Sequence, residues 1–173
     1  MTRALVVYES MFGNTEKVAR AVADGLSERV TVEVRRAGPD TVVDADVELL
    51  VVGGPTHAFG LTRPRTRVSA GQQGAPAAVA AGPGIREWLS DLPPTTCAVA
   101  TFDTRIRKTG VPGSAARGAE RRLGRGGARI LAPATSFWVG STDGPLLVGE
   151  EDRARRWGRQ LAARLTVRHG VGP

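Results

Sequence analysis

The chain has 173 residues, 41% of them hydrophobic, and a formal net charge of +7. That is the length of one domain with a single substantial core, and no stretch reaches the roughly 18 apolar residues that a membrane span needs. Nearly all of the 24 basic residues are arginines, spread along a chain rich in Ala, Gly and Val without interleaved aromatics, a pattern that speaks against a nucleic-acid partner.

Residues 4–8 are a continuous apolar run bounded by a turn, which predicts a strand buried on both faces. No basic-then-apolar leader precedes it, so the expected location is the cytoplasm. Residues 15–26 place Val18, Val22 and Leu26 four apart, with Ala19 and Ala23 beside them, on one helical face. Val30, Val32 and Val34 alternate with polar residues, as in a half-exposed edge strand. Residues 47–52 read as a central strand that stops at Gly53-Gly54-Pro55-Thr56.

Residues 62–82 lack periodicity and read as a long loop, a lid or docking surface, with a short helix within 68–81 left open. Ile85, Trp88, Leu89 and Leu92 mark a helix over 84–92, which Pro93-Pro94 ends. Residues 96–102 are a third central strand, inside which the only cysteine, Cys97, reads as a buried structural thiol. One cysteine excludes an internal disulfide and holds no metal alone. A helix over 114–123, a last strand over 129–139 broken near Pro133, and a helix over 150–165 complete the chain. Residues 166–173 read as a frayed tail whose His169 is exposed and inert.

Five strands alternating with helices imply right-handed crossovers and a parallel sheet covered on both faces. The expected fold is therefore α/β: a single-domain three-layer sandwich over residues 1–173 with its ordered core at 3–165. In such sheets ligands bind beyond the carboxyl ends of the strands, here the loops 10–15, 55–60 and 102–107. In the first loop Ser10 and Thr15 offer hydroxyls and Asn14 an amide, Gly13 admits close backbone approach, and the new helix adds its positive end. With no Lys or Arg in it, this loop suits a terminal phosphomonoester. It matches neither Gly-x-x-x-x-Gly-Lys-Ser/Thr nor Gly-x-Gly-x-x-Gly.

The run Val6-Val7-Tyr8-x-Ser10-x-x-Gly13-x-Thr15-x-x-x-Ala19-x-x-Val22 resembles the flavodoxin signature, and the order of elements from 3 to 165 is similar to that of the family. The resemblance implies strand order 2-1-3-4-5 and bound flavin mononucleotide (FMN), its phosphate held by Ser10, Met11, Phe12, Gly13, Asn14 and Thr15. It places Pro55, Thr56, His57, Ala58, Phe59 and Gly60 along one face of the isoalloxazine ring, with His57 or Phe59 as cover. Backbone groups of Thr101, Phe102, Asp103 and Thr104 would meet the pyrimidine edge. Many flavodoxins cover the second face with a tyrosine, but the only Tyr here is Tyr8, which leaves Phe102 as the available aromatic and implies a more open ring.

Electron-carrying flavodoxins are typically acidic. Here Arg63, Arg65, Arg67, Arg105, Arg107 and Lys108 lie in or near the expected mouth, and a positive surround stabilises an anionic reduced ring. Three functions stay open: an FMN carrier moving electrons between protein partners, an FMN-dependent oxidoreductase acting on a quinone, porphyrinogen or NAD(P)H, and a cofactor-free regulatory module. A phosphoacceptor receiver is excluded, because Gly53-Gly54-Pro55 stands where its third strand must end in Asp. No catalytic side chain is assigned.

Overall fold

The computed structural model describes residues 2–108, 110 and 112–169. The apolar runs become the centre of one parallel sheet: β1 (Arg3–Tyr8), β3 (Val47–Pro55) and β4 (Ala98–Ile106). β2 (Thr31–Arg36) lies outside β1, and β5 (Arg129–Ile130) outside β4, giving the order β2-β1-β3-β4-β5. β6 (Thr135–Val139) also pairs with β4, in register Phe102↔Thr135 to Ile106↔Val139. β5 and β6 are thus two halves of one split fifth strand. Pro133 lies between them and has no N–H to donate to the ladder.

The described residues form six helices: α1 (Asn14–Ser27), α2 (Pro64–Gln72), α3 (Ala77–Ala81), α4 (Ile85–Asp91), α5 (Ala115–Arg125) and α6 (Glu150–His169). Helices α1 and α6 bury Val18, Val22, Leu26, Leu161 and Leu165 against Val6, Leu49 and Val51. On the other face α4 and α5 bury Ile85, Leu89 and Leu123 against Leu5, Leu50, Val52 and Val99. Each such side chain contributes about 1.5–3 kcal/mol by leaving water. Helices α1 and α6 touch backbone to backbone, since a Cβ on Gly158 would lie 2.2 Å from the Val22 carbonyl oxygen.

Five local readings of the sequence change. β3 continues through Gly53 and Gly54 to Pro55, because a Cβ on Gly53 would sit 2.0 Å from the Phe102 ring, which lies across it. β4 runs on to Ile106 rather than ending at Phe102, so the loop after it starts at Arg107. The segment 62–82 is not a bare loop but carries α2 and α3. Its inward residues are Arg67 and Ala70, which gives no apolar stripe to read. Ala70 and Ala75 pack on Met11, with Phe12 and Val79 alongside, so α2 and α3 buttress the loop after β1.

Finally, α6 extends to His169 instead of fraying at 166. The His169 side chain and residues 170–173 lie outside the described residues. Cys97 is half-buried rather than buried, its Sγ 3.0 Å from Thr95 Oγ1. Among the described residues no helix is long and apolar enough to cross a membrane.

Candidate functional site

Parallel strands that cross over through helices bring their carboxyl ends to one edge of the sheet. There the ends of β1, β3, β4 and β6 enclose a small cleft of about 80 Å³. Ser10, Met11, Phe12, Asn14 and Thr15 line one wall, Pro55, Thr56 and His57 another, and Thr104, Arg105, Ile106, Val139 and Thr142 the rest. A larger and more open cavity of about 540 Å³ lies between β5 and α6, lined by Arg129, Ile130, Leu131, Ala163, Arg164 and Val167, with no residue from the carboxyl ends of β1, β3 or β4. Of the residues singled out from the sequence, Ser10, Met11, Phe12, Asn14, Thr15, Pro55, Thr56, His57 and Thr104 line the smaller cleft.

Its first wall is a backbone cradle. Gly13 has φ 90° at the N-cap of α1, the left-handed region that glycine occupies without strain, and nothing lies within 4 Å of the position its Cβ would take. Ser10 Oγ accepts the Gly13 N–H at 3.0 Å, which closes the loop. The N–H groups of Met11, Phe12, Asn14, Thr15 and Glu16 find no acceptor among the described residues. Orphaned donors at a helix start, with the helix dipole behind them, form an anion site.

The side chains mostly build this cradle. Asn14 Nδ2 donates to the Asp143 carbonyl at 3.0 Å, tying the loop to the chain beyond β6. Thr15 and Thr104 share a hydroxyl–hydroxyl bond of 2.7 Å across the cleft floor. Met11 points away, into α2 and α3. A basic residue that the loop sequence does not contain arrives from outside: Arg36, at the end of β2, donates to the Ser10 carbonyl at 2.9 Å. The parallel register Tyr8↔Arg36 puts it there.

The second wall ends in a two-residue turn. His57 and Gly60 exchange both backbone hydrogen bonds, at 2.9 and 3.0 Å. Ala58 and Phe59 between them have φ 43° and 70°, the conformation of a type I′ turn without its usual Asn or Gly. Phe59 is left 61% exposed. Gly113, before α5, backs onto this turn, and a Cβ there would lie 2.0 Å from the Phe59 carbonyl oxygen. A strained turn that presents an exposed aromatic ring is the kind of outlier found at ligand clamps. His57 lies at its base. Burial pushes the imidazole below its ordinary pKa and the nearby Arg67 charge adds to the shift, so it is neutral at pH 7.

Not every expected residue reaches the cleft. Phe102 is 1% exposed and packs edge-on against Phe137 and Trp157 at centroid distances of 6.0 and 6.2 Å. It is core, and with β4 extended to Ile106 it lies too deep to cover a ring. Thr101 is buried at the same depth, its Oγ1 without a partner among the described residues. The Asp103 carboxylate turns beneath the site. Its Oδ2 accepts from Ser114 Oγ, from Thr56 Oγ1 at 2.9 Å and from the Ala116 N–H at 3.1 Å, which joins the β3 and β4 loops. Thr104 does line the cleft.

A buried network unforeseen in the sequence supports the cradle from behind. Thr62 Oγ1 donates to Glu9 Oε1 and accepts from Arg67 Nη1 at 2.9 Å. Glu9 Oε2 accepts the Ile85 N–H at 2.8 Å, and Arg67 pairs with Glu87 at 3.2 Å. Burial pushes the Glu9 carboxyl above its ordinary pKa, against the pull of Thr62, Ile85 and Arg67. Glu9 adjoins Ser10, and Thr62 follows the Phe59 turn, so both cleft loops are anchored to one cluster.

No family model matches the sequence, and no curated protein matches it either. Solved structures do. A flavodoxin from the domain Archaea superposes with TM-score 0.68 at 21% identity, covering 95% of this chain and 99% of that one. Oxidised flavodoxin 1 from Bacillus cereus gives TM-score 0.65 at 15% identity, covering 96% and 98%. A flavodoxin, WrbA-like protein from Agrobacterium tumefaciens gives 0.62 at 16%, covering 96% and 99%. The fold is the flavodoxin fold over nearly the whole chain.

Proposed function

We propose that this chain is an FMN-binding redox protein of the flavodoxin type that passes electrons between partners. The observation that carries the reading is the row of five N–H groups from Met11 to Glu16 without an acceptor among the described residues, four of them (Met11, Phe12, Asn14 and Thr15) in residues that line a cleft at the carboxyl edge of the sheet. The flavodoxins among the structural neighbours add to it. The enclosed cleft of about 80 Å³ is well below the roughly 300 Å³ or more that engulfs a whole ligand, so it suits the phosphate end, with the ring outside between the Phe59 turn and the loop after β4.

In that arrangement the Met11–Glu16 amides bind the phosphate and Phe59 packs on one ring face. Neutral His57 stands within the cleft as a hydrogen-bonding group, and the Asp103 clamp keeps the two ring loops together. The flavin, when bound, supplies one- and two-electron chemistry, and the protein supplies binding and electrostatics. A second reading, turnover of a small redox substrate, is favoured by one feature: residues 107–113 carry no aromatic side chain, so one ring face stays open. The test is FMN titration followed by absorbance and flavin fluorescence. Stoichiometric uptake with a shifted spectrum supports the reading, and a folded chain that takes up no FMN refutes it.

A further inference from the structure

Beside the cleft, on the α5 face of β4 and β6, lies a second, wider groove of about 530 Å³. Arg105, Arg117 and Arg153 converge on it, around Ser114, Ser136 and Trp138. Among the described residues no carboxylate lines it. Arg105 and Trp138 are register partners on adjacent strands, and the guanidinium sits 6.0 Å over the indole while donating to the Gly113 carbonyl at 2.7 Å. Arg153 is held by Glu150 at 2.6 Å and by the Ser136 carbonyl. Arg117 is exposed, and its guanidinium has no partner among the described residues. Of the nearest carboxylates, Glu150 is taken up by Arg153 and the Trp138 N–H, and Asp103 is sealed under Ser114.

We infer that this groove binds the carboxylate or phosphate groups of a small anionic molecule. Planar guanidiniums engage such groups bidentately, Trp138 offers an apolar flank, and the size is that of a ligand pocket. Arg105 lines both the groove and the cleft. Resting on the FMN reading, the groove therefore takes the anionic end of the molecule that exchanges electrons with the cofactor, which makes that molecule a small acid rather than a neutral quinone.

The test uses the FMN-loaded chain at low salt, with pyrophosphate and citrate as probes, followed by calorimetry and by Trp138 fluorescence against a Trp138→Phe control. Saturable one-to-one binding is expected, weakened about tenfold by Arg117→Ala, restored in part by Arg117→Lys and unaffected by Arg29→Ala, which removes equal charge at the opposite end of the sheet. No saturable binding, equal loss in both alanine variants, or displacement of the probe by FMN would overturn the groove. Arg117-dependent binding by a chain that takes up no FMN would leave an anion groove and overturn its redox assignment instead.

Discussion

Thr62→Val tests the buried cluster behind the cradle. The substitution keeps the shape of the side chain and removes one hydroxyl, which both donates to Glu9 and accepts from Arg67. Thr62 is fully buried, with Glu9 and Arg67 each 3% exposed, so water cannot replace either bond. Hydrogen bonds to charged groups are worth about 1.5–3 kcal/mol each. Two are lost, and a partial shift of Arg67 toward Glu9 recovers some of that. The expected net cost is about 3 kcal/mol, or about 6–12 °C in melting temperature for a chain of this size. Thr62→Ser keeps the hydroxyl and loses a methyl, which costs about 0.8 kcal/mol. Urea denaturation of the three proteins separates the terms. If the valine variant lies within about 0.5 kcal/mol of the serine variant, the hydroxyl does not hold the cluster and the reasoning fails.

Glu9 also predicts a pH dependence. Its carboxyl is raised in the folded state, so its contribution is complete below the unfolded value of about 4.3 and is lost as pH rises through the folded value. Measured against Glu9→Gln, the parent should therefore gain stability between neutral pH and about pH 5; a flat or opposite trend would remove burial as the dominant influence. Ala58→Gly relieves a left-handed strain of about 1 kcal/mol, so this variant should melt no lower than the parent, whereas Phe59→Gly should weaken FMN binding while leaving the melt intact. An unchanged FMN affinity in Phe59→Gly would exclude ring packing by Phe59. Potentiometry of the FMN-loaded chain should show a second reduction couple less negative than that of an acidic flavodoxin in the same buffer, and the difference should shrink as salt screens charges beyond about 8–10 Å. A couple equally negative would show that Arg105 and its neighbours do not act on the ring.

The layers of the fold are legible because each central strand contains a short apolar run and each main helix has one apolar face. The cradle is legible for a similar reason, since Gly13 between a buried strand and Val18–Val22–Leu26 admits few geometries. What escapes the sequence is polar burial. Asp103 and Thr104 look like loop residues, yet β4 continues through them because Asp103 caps α5 and Thr104 bonds Thr15. Arg67 faces inward where an apolar residue would have marked α2. Phe102 appears free to stack until Gly53 opens the space that holds it in the core. Each has a partner more than 10 residues away in the chain, which for Arg67 is Glu87, beyond the reach of local periodicity.

The central claim is that the backbone amides from Met11 to Glu16 hold the phosphate of FMN. Amide chemical shifts followed by heteronuclear NMR during parallel titrations with FMN and riboflavin test it most directly. The account predicts that FMN shifts the Met11, Phe12, Asn14, Thr15 and Glu16 amides and binds at least about 100-fold tighter than riboflavin, a difference of about 2.7 kcal/mol for the phosphate contacts. Equal affinity for the two flavins, or FMN binding that leaves those amides unmoved, would contradict it.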